Sequence, residues 1–293
     1  MLSGIFAPLP TPFMADGRLD LDSLRALAAN LASRLDGLLI LGSNGETPFL
    51  TEAERGLVLR AAREAIPAGK VMLAGVGAET PDATVERCRV AADAGADLAL
   101  VLPPHYFRAA GTPATLEAHF TRVAAGSPIP LAAYNIPSVT GFAFTAATLA
   151  SLARAGVISA VKDSSGDING TYEMLRLAPA GFSVLSGHGQ TLLAAVAGGA
   201  SGGILASANL VPEAYRALLA AAQAGNLAEA RRWQHATRPL ADAVTARWGV
   251  PGLKAALRLQ GQPGGYPRLP LADVPEAAQA ELKRLLADLN ALG

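Results

Sequence analysis

Short apolar runs alternate with segments of helical period along most of the chain. The segment from Gly4 starts as a strand and breaks at prolines. Gly37 to Leu41, Val71 to Gly75, Leu98 to Leu102 and Leu131 to Tyr134 are apolar runs of strand length. Val157 to Val161, Ser183 to Ser186 and Gly203 to Ser207 complete the set. Each is nearly continuous in its apolar character, as a parallel strand buried on both faces must be. Between them, Leu21–Leu35, a segment to Ala65, a segment to Gly95, 112–125, 145–155, 168–177, 190–197 and 212–224 place apolar residues three and four apart, the helical spacing. Start signals agree with these spans. Asp20 or Asp22 suits the first helix, Thr51-Glu-Ala-Glu54 is a capping box, and Thr80-Pro81 and Thr112-Pro113 open two more. Eight strand–helix units predict a closed (β/α)8 TIM barrel over residues 1–225. Residues 226–293 read as a C-terminal helical extension, with helices near 227–246, 250–260 and 275–291. A doubly wound open sheet is the competing architecture, but no Gly-x-Gly-x-x-Gly follows the first strand.

Composition narrows the function classes. Basic and acidic residues number 24 each, so no net charge draws the chain to nucleic acid or an anionic membrane. A single cysteine, Cys88, excludes an intramolecular disulfide and a cysteine zinc site. The four histidines are scattered without ligand spacing, and no metal is expected. The N-terminus lacks a basic segment followed by an apolar one, which reads as a cytoplasmic protein. Thr191–Val211 carries no charge and is long enough to span a bilayer. Its paired glycines divide it into helix, turn and strand, so it reads as buried globular structure.

Barrel chemistry collects at the C-terminal ends of the strands. The second strand ends at Ser43-Asn44, the fourth at Tyr106, the fifth at Tyr134, the sixth at Lys162 and the seventh at His188. A lysine at a buried strand end has two readings. It snorkels to solvent, or it loses hydration and serves as the neutral amine that attacks a carbonyl. Schiff-base chemistry also needs a proton shuttle and donors for a carboxylate beside the ketone. Tyr134 is suited to move the proton, Ser43 to relay it toward Tyr106, and the Gly42–Gly45 turn to present N–H groups to an anion. Lys70, Lys254 and Lys283 read as surface or packing residues. His188 is a candidate for tuning specificity and Arg108 for holding an anionic substrate, while His119, His235 and Cys88 read as structural.

Three stretches carry a family resemblance: Gly42-Ser-Asn-Gly-Glu46, Tyr134-Asn-Ile-Pro-Ser-Val-Thr-Gly141 and Val161-Lys-Asp-Ser-Ser-Gly166. Together they resemble the signatures of the dihydrodipicolinate synthase / N-acetylneuraminate lyase superfamily of pyruvate-dependent class I aldolases. The resemblance implies Lys162 as the Schiff-base lysine, Tyr134 as the acid/base tyrosine, and Ser43 and Asn44 as the grip on the pyruvate carboxylate. It implies Tyr106 as a relay lent by a neighbouring subunit, hence a homo-oligomer, usually a tetramer. It places the Ile204 carbonyl against pyruvate and includes Thr140 among the substrate-binding residues. It also implies that the imine needs no cofactor or metal. Synthases acting on aspartate semialdehyde carry an Arg where this chain has Val139. Longer stretches, including Ala243 to Lys254, are similar to 4-hydroxy-2-oxoglutarate aldolase, with Asn44 and Ser164 as the expected contacts to the second carbonyl fragment. The expected reaction is therefore cleavage of a 4-hydroxy-2-oxo acid to pyruvate and an aldehyde such as glyoxylate. The alternatives are condensation of pyruvate with aspartate semialdehyde, cleavage of a 2-keto-3-deoxygluconate-type acid, and a non-catalytic pyruvate-binding scaffold.

Overall fold

The computed structural model describes residues 1–291; the last two positions of the expected extension, Leu292 and Gly293, lie outside the described residues. Eight parallel strands close in sequential order, with β8 returning to β1. They are β1 (Gly4–Pro8), β2 (Gly37–Ile40), β3 (Val71–Gly75), β4 (Leu98–Val101), β5 (Leu131–Asn135), β6 (Ala160–Asp163), β7 (Ser183–Ser186) and β8 (Gly202–Ile204). The crossover helices are α1 (Leu21–Arg34), α2 (Glu52–Ala65), α3 (Pro81–Asp93), α4 (Pro113–Gly126), α5 (Pro137–Thr140), α6 (Ala146–Arg154), α7 (Ile168–Leu177), α8 (Leu192–Ala197) and α9 (Pro212–Gln223). The expected (β/α)8 barrel is the observed architecture. The uncharged Thr191–Val211 stretch divides into the end of a 3₁₀ turn, α8, β8 and a second 3₁₀ turn. Among the described residues no helix is long and apolar enough to cross a membrane.

Strand alternation sorts every side chain to one of two cores. Phe6, Leu39, Leu73, Leu98, Leu100, Ala132, Ala160, Leu185 and Ile204 fill the barrel interior. Ile5, Leu38, Ile40, Met72, Val101, Val161 and Val184 face the helix layer. Each buried leucine contributes roughly 2 kcal/mol by leaving water. The barrel closes at Gly202, whose φ of 144° and close approach to Gly4 leave no room for a Cβ: one built there would sit 2.0 Å from the Gly4 carbonyl oxygen.

After Asn226 follow α10 (Leu227–Asp242), a π-helical turn at Ala243–Arg247, α11 (Gly249–Leu259) and α12 (Glu276–Asn290). α10 packs on α9 and on the Gly189–Thr191 turn, which ties the extension to the barrel mouth. A second tie runs through the capping box. Glu54 accepts from the Thr51 N–H at 2.9 Å and also from the Arg268 guanidinium at 2.7 Å. The Arg268 hydrogen bond holds the Glu54 carboxyl at about 2, below its ordinary 4.5, although burial opposes the shift. A depressed carboxyl stabilises the fold fully above its unfolded value, and this is lost as pH falls from 4.5 toward 2. Glu54→Gln keeps a residue able to complete the box. It is therefore expected to lower stability by about 1–2 kcal/mol at neutral pH and by progressively less below pH 4. Thermal unfolding of both proteins between pH 3 and 7 checks this, and parallel curves would refute it.

Candidate active site

Register brings the two central side chains together. Tyr134 on β5 pairs directly with Lys162 on β6, and both follow interior-facing alanines two residues earlier, Ala132 and Ala160. Both side chains therefore point into the barrel. Lys162 is 4 % exposed, so it does not snorkel to solvent. Its Nζ donates to the Tyr134 hydroxyl at 3.2 Å and lies 4.2 Å from the centre of that ring. Ser43 Oγ donates to the same hydroxyl at 3.4 Å. Burial pushes the Tyr134 phenol up. The Lys162 charge and hydrogen bonds from Ser43, Lys162 and Ser164 outweigh it, leaving the phenol below its ordinary value.

Backbone and side-chain ties on the outer face of β5 and β6 fix the strand ends. Asp163 accepts from Asn135 Nδ2 at 2.8 Å, from the Ser165 N–H at 3.1 Å and from Thr171 Oγ1 at 2.9 Å. Asn135 in turn accepts from the Phe144 N–H. These bonds pin the loops on either side of Lys162 and Tyr134. Ser164 packs so tightly on Gly187 that a Cβ there would lie 1.9 Å from its Oγ.

Ser43 and Asn44 open a 3₁₀ turn, Ser43–Gly45, directly after β2. The first N–H groups of such a turn have no acceptor within it and are open to an anion. Asn44 Nδ2 is buried without a partner among the described residues, a donor that a bound carbonyl or carboxylate would satisfy. The mouth opens into a cavity of about 490 Å³ whose wall includes Ser43, Thr47, Tyr134 and Val139. A larger groove of about 690 Å³ lies elsewhere, between α1, α9 and the C-terminal helices.

Several expected residues sit differently. Tyr106 does not join Ser43 and Tyr134 within one chain. It is 78 % exposed, its ring edge against Phe107, because the segment after β4 carries it out of the mouth and Glu79 holds its N–H there. Thr140 is buried, and its hydroxyl is spent on the Ile136 and Phe142 carbonyls of its own loop, so it offers no donor to a substrate. Ile204 ends β8 beside Phe6 in the barrel interior. His188 lies over Gly166; burial lowers its pKa against the pull of Asp163 and Asp242. Arg108 packs against Gly141, next to the Val139 loop. Cys88 and His119 are buried in helices, as expected; burial raises the thiol and lowers the imidazole.

The sequence reading missed two arginines that line the same cavity. Arg55 is buried and donates to the Thr47 carbonyl; burial, with the neighbouring Arg87 charge, lowers it to about 10 against the pull of Glu52. Arg87 pairs with Glu52 at 2.6 Å and bonds the Gly77 carbonyl. Both sit on helices at positions that read as solvated, and no local signal separates them from surface arginines.

Comparison with known proteins bears on the family and the fold. The model of the "Dihydrodipicolinate synthetase family" matches residues 1–289. The chain belongs to that family. A "4-hydroxy-tetrahydrodipicolinate synthase" of an Exiguobacterium species is 38 % identical over 288 residues, covering 98 % of this chain and 97 % of the relative. The "4-hydroxy-tetrahydrodipicolinate synthase 1" of Streptomyces coelicolor is 38 % identical over 285 residues, covering 96 % and 92 %. Among solved structures, a putative dihydrodipicolinate synthetase from Pseudomonas aeruginosa superposes with a TM-score of 0.94 at 29 % identity, covering 99 % of this chain and 100 % of that one. The dihydrodipicolinate synthase of Thermotoga maritima gives 0.94 at 27 %, with 99 % of both chains covered. Members of the family are pyruvate-dependent lyases and synthases acting on carbon–carbon bonds through a lysine–pyruvate imine, without an external cofactor. This chain is an enzyme of that class.

Proposed function

We propose that Lys162 is the imine-forming residue and that the chain cleaves a 4-hydroxy-2-oxo acid, best described as 4-hydroxy-2-oxoglutarate, to pyruvate and glyoxylate. The observation that carries the lysine assignment is the buried contact of Lys162 and Ser43 with one tyrosine hydroxyl at the barrel mouth. In the proposed sequence the neutral Lys162 amine adds to the C2 ketone, and the carbinolamine loses water to give an iminium. Tyr134 takes the proton from the C4 hydroxyl, the C3–C4 bond breaks, and its electron pair enters the iminium as an enamine. The aldehyde leaves, the enamine is protonated at C3, and hydrolysis returns pyruvate and the free lysine. Ser43 and Asn44 hold the carboxylate beside the ketone, with the Ile204 carbonyl facing the pyruvate unit. Ser164 contacts the second fragment.

Two observations bear on the aldehyde. Val139 lines the cavity with no donor to offer, where a synthase would hold the carboxylate of aspartate semialdehyde with a guanidinium fork. The Asn44 side chain supplies an unpaired amide donor for the second fragment, while the N–H groups of the Ser43–Asn44 turn hold the pyruvate carboxylate. A second reading, condensation of pyruvate with aspartate semialdehyde, is supported by the names of the relatives. Kinetics with glyoxylate, aspartate semialdehyde and glyceraldehyde as pyruvate acceptors separates them. Glyoxylate is expected to give the highest kcat/KM; preference for aspartate semialdehyde by more than about tenfold establishes the synthase reading instead.

The exposed Tyr106 and Phe107 side chains support an assembled form, a homotetramer in which Tyr106 completes the mouth of a neighbouring copy.

A further inference from the structure

Lys254 is fully buried and takes no part in the chemistry described above. Its Nζ forms an ion pair with Glu46, donates to the Tyr266 carbonyl at 2.7 Å, and lies 4.5 Å from the centre of the Phe13 ring. The reading of Lys254 as a surface or packing residue therefore falls short: it is half of a buried salt bridge. Glu46 is 2 % exposed and immediately follows the turn that carries Ser43 and Asn44. Its carboxylate also accepts from the Arg268 N–H at 2.8 Å. The pair thus joins the barrel-mouth turn to α11 and the segment after it.

The turn needs such a tie. Leu41 and Glu46, which bracket Gly42–Gly45, both adopt positive φ, 58° and 54°. A non-glycine side chain in that region is strained and persists only where its surroundings over-determine it. At the Leu41 end, Thr47 Oγ1 clips the Leu41 and Gly42 carbonyls at 3.0 and 2.8 Å. At the other end the clamp is the Glu46 carboxylate. Packing alone does not require charge here, because two apolar residues of similar size fill a buried site without the desolvation penalty of an ion pair. A salt bridge with a fixed acceptor geometry does something apolar contacts cannot: it locks one backbone conformation.

We propose that Lys254 and Glu46 are positioning residues that hold the Ser43–Asn44 turn in its pyruvate-binding conformation. This rests on the assignment of Ser43, Asn44 and Lys162 given above. Burial, with Arg258 and Arg268 nearby, lowers the Lys254 amine to about 8, and Glu46 opposes that shift. Neither residue touches substrate; both act through the turn.

Glu46→Gln, Lys254→Met and the double variant test it, with pyruvate dependence read by borohydride trapping at Lys162. Each variant is expected to need about tenfold more pyruvate for half-maximal trapping, while the trapping rate at saturation changes by less than about threefold. The double variant is expected to be no worse than the poorer single one, because the two act as a unit. It contains no orphaned buried charge, so it remains informative if Lys254→Met alone does not fold. Half-saturation within about twofold of the parent in any folded variant overturns the proposal, since a merely structural pair would move only the melting temperature. Failure of the double variant, in which no buried charge is left unpaired, to fold also overturns it, by assigning the pair to folding as a whole. Absence of trapping in the parent would instead refute the Lys162 assignment.

Discussion

Lys162→Ala is expected to leave a folded barrel that forms no reducible adduct with pyruvate, with turnover at least about 10⁴-fold lower than the parent. The nucleophile cannot be replaced from nearby. Lys254 is sealed into its ion pair with Glu46, and Lys70 donates to the Leu35 carbonyl between β2 and α1, away from the strand ends. The hydrogen-bond partner of Lys162 is the Tyr134 hydroxyl and not a carboxylate, so truncation does not strand a buried counter-ion. Mass spectrometry after incubation with pyruvate and borohydride reads the result, with circular dichroism reporting the fold. An adduct that persists in the alanine variant would move the imine to another lysine.

Tyr134→Phe is expected to lower kcat by about 10²–10⁴-fold, the range for loss of a positioned acid/base, while retaining slow imine trapping. The phenol is the shared acceptor of Lys162 and Ser43, so its removal interrupts proton transfer without removing the amine. Lys162 and its hydrogen-bond donors hold the phenol below its ordinary value in spite of burial, so the phenolate becomes available at lower pH than in a free tyrosine. Proton removal from the C4 hydroxyl should therefore show a rising limb below the usual tyrosine range, and the phenylalanine variant should lack it. A pH–kcat profile measured on both proteins decides this. An unchanged limb in the variant would assign the proton step to another group.

The legible part of the site is the part written in short stretches. Lys162 and Tyr134 lie at the C-terminal ends of strands recognisable from their apolar runs, Ser43 lies just past the end of another, and strand ends share one face of a barrel whatever the loops do. Residues whose role depends on a loop's path were less legible. Thr140 lies in a signature stretch, yet its hydroxyl turns back to its own backbone. Tyr106 follows a barrel strand, yet the segment after β4 carries it into solvent. Arg55 and Arg87 look like ordinary helix surface until α2 and α3 pack beside the mouth.

By itself the sequence determined the barrel, its strand order and the strand ends that hold the chemistry, because those follow from local periodicity and from the geometry of parallel strands buried on both faces. Only the tertiary structure decided which of the candidate side chains meet. It set Lys162 beside Tyr134 through strand register, brought Lys254 and Arg268 from the far end of the chain onto the Glu46 turn, and turned Tyr106 away. Contacts between distant segments depend on how helices and loops pack over the barrel, and no local pattern of residues encodes that packing.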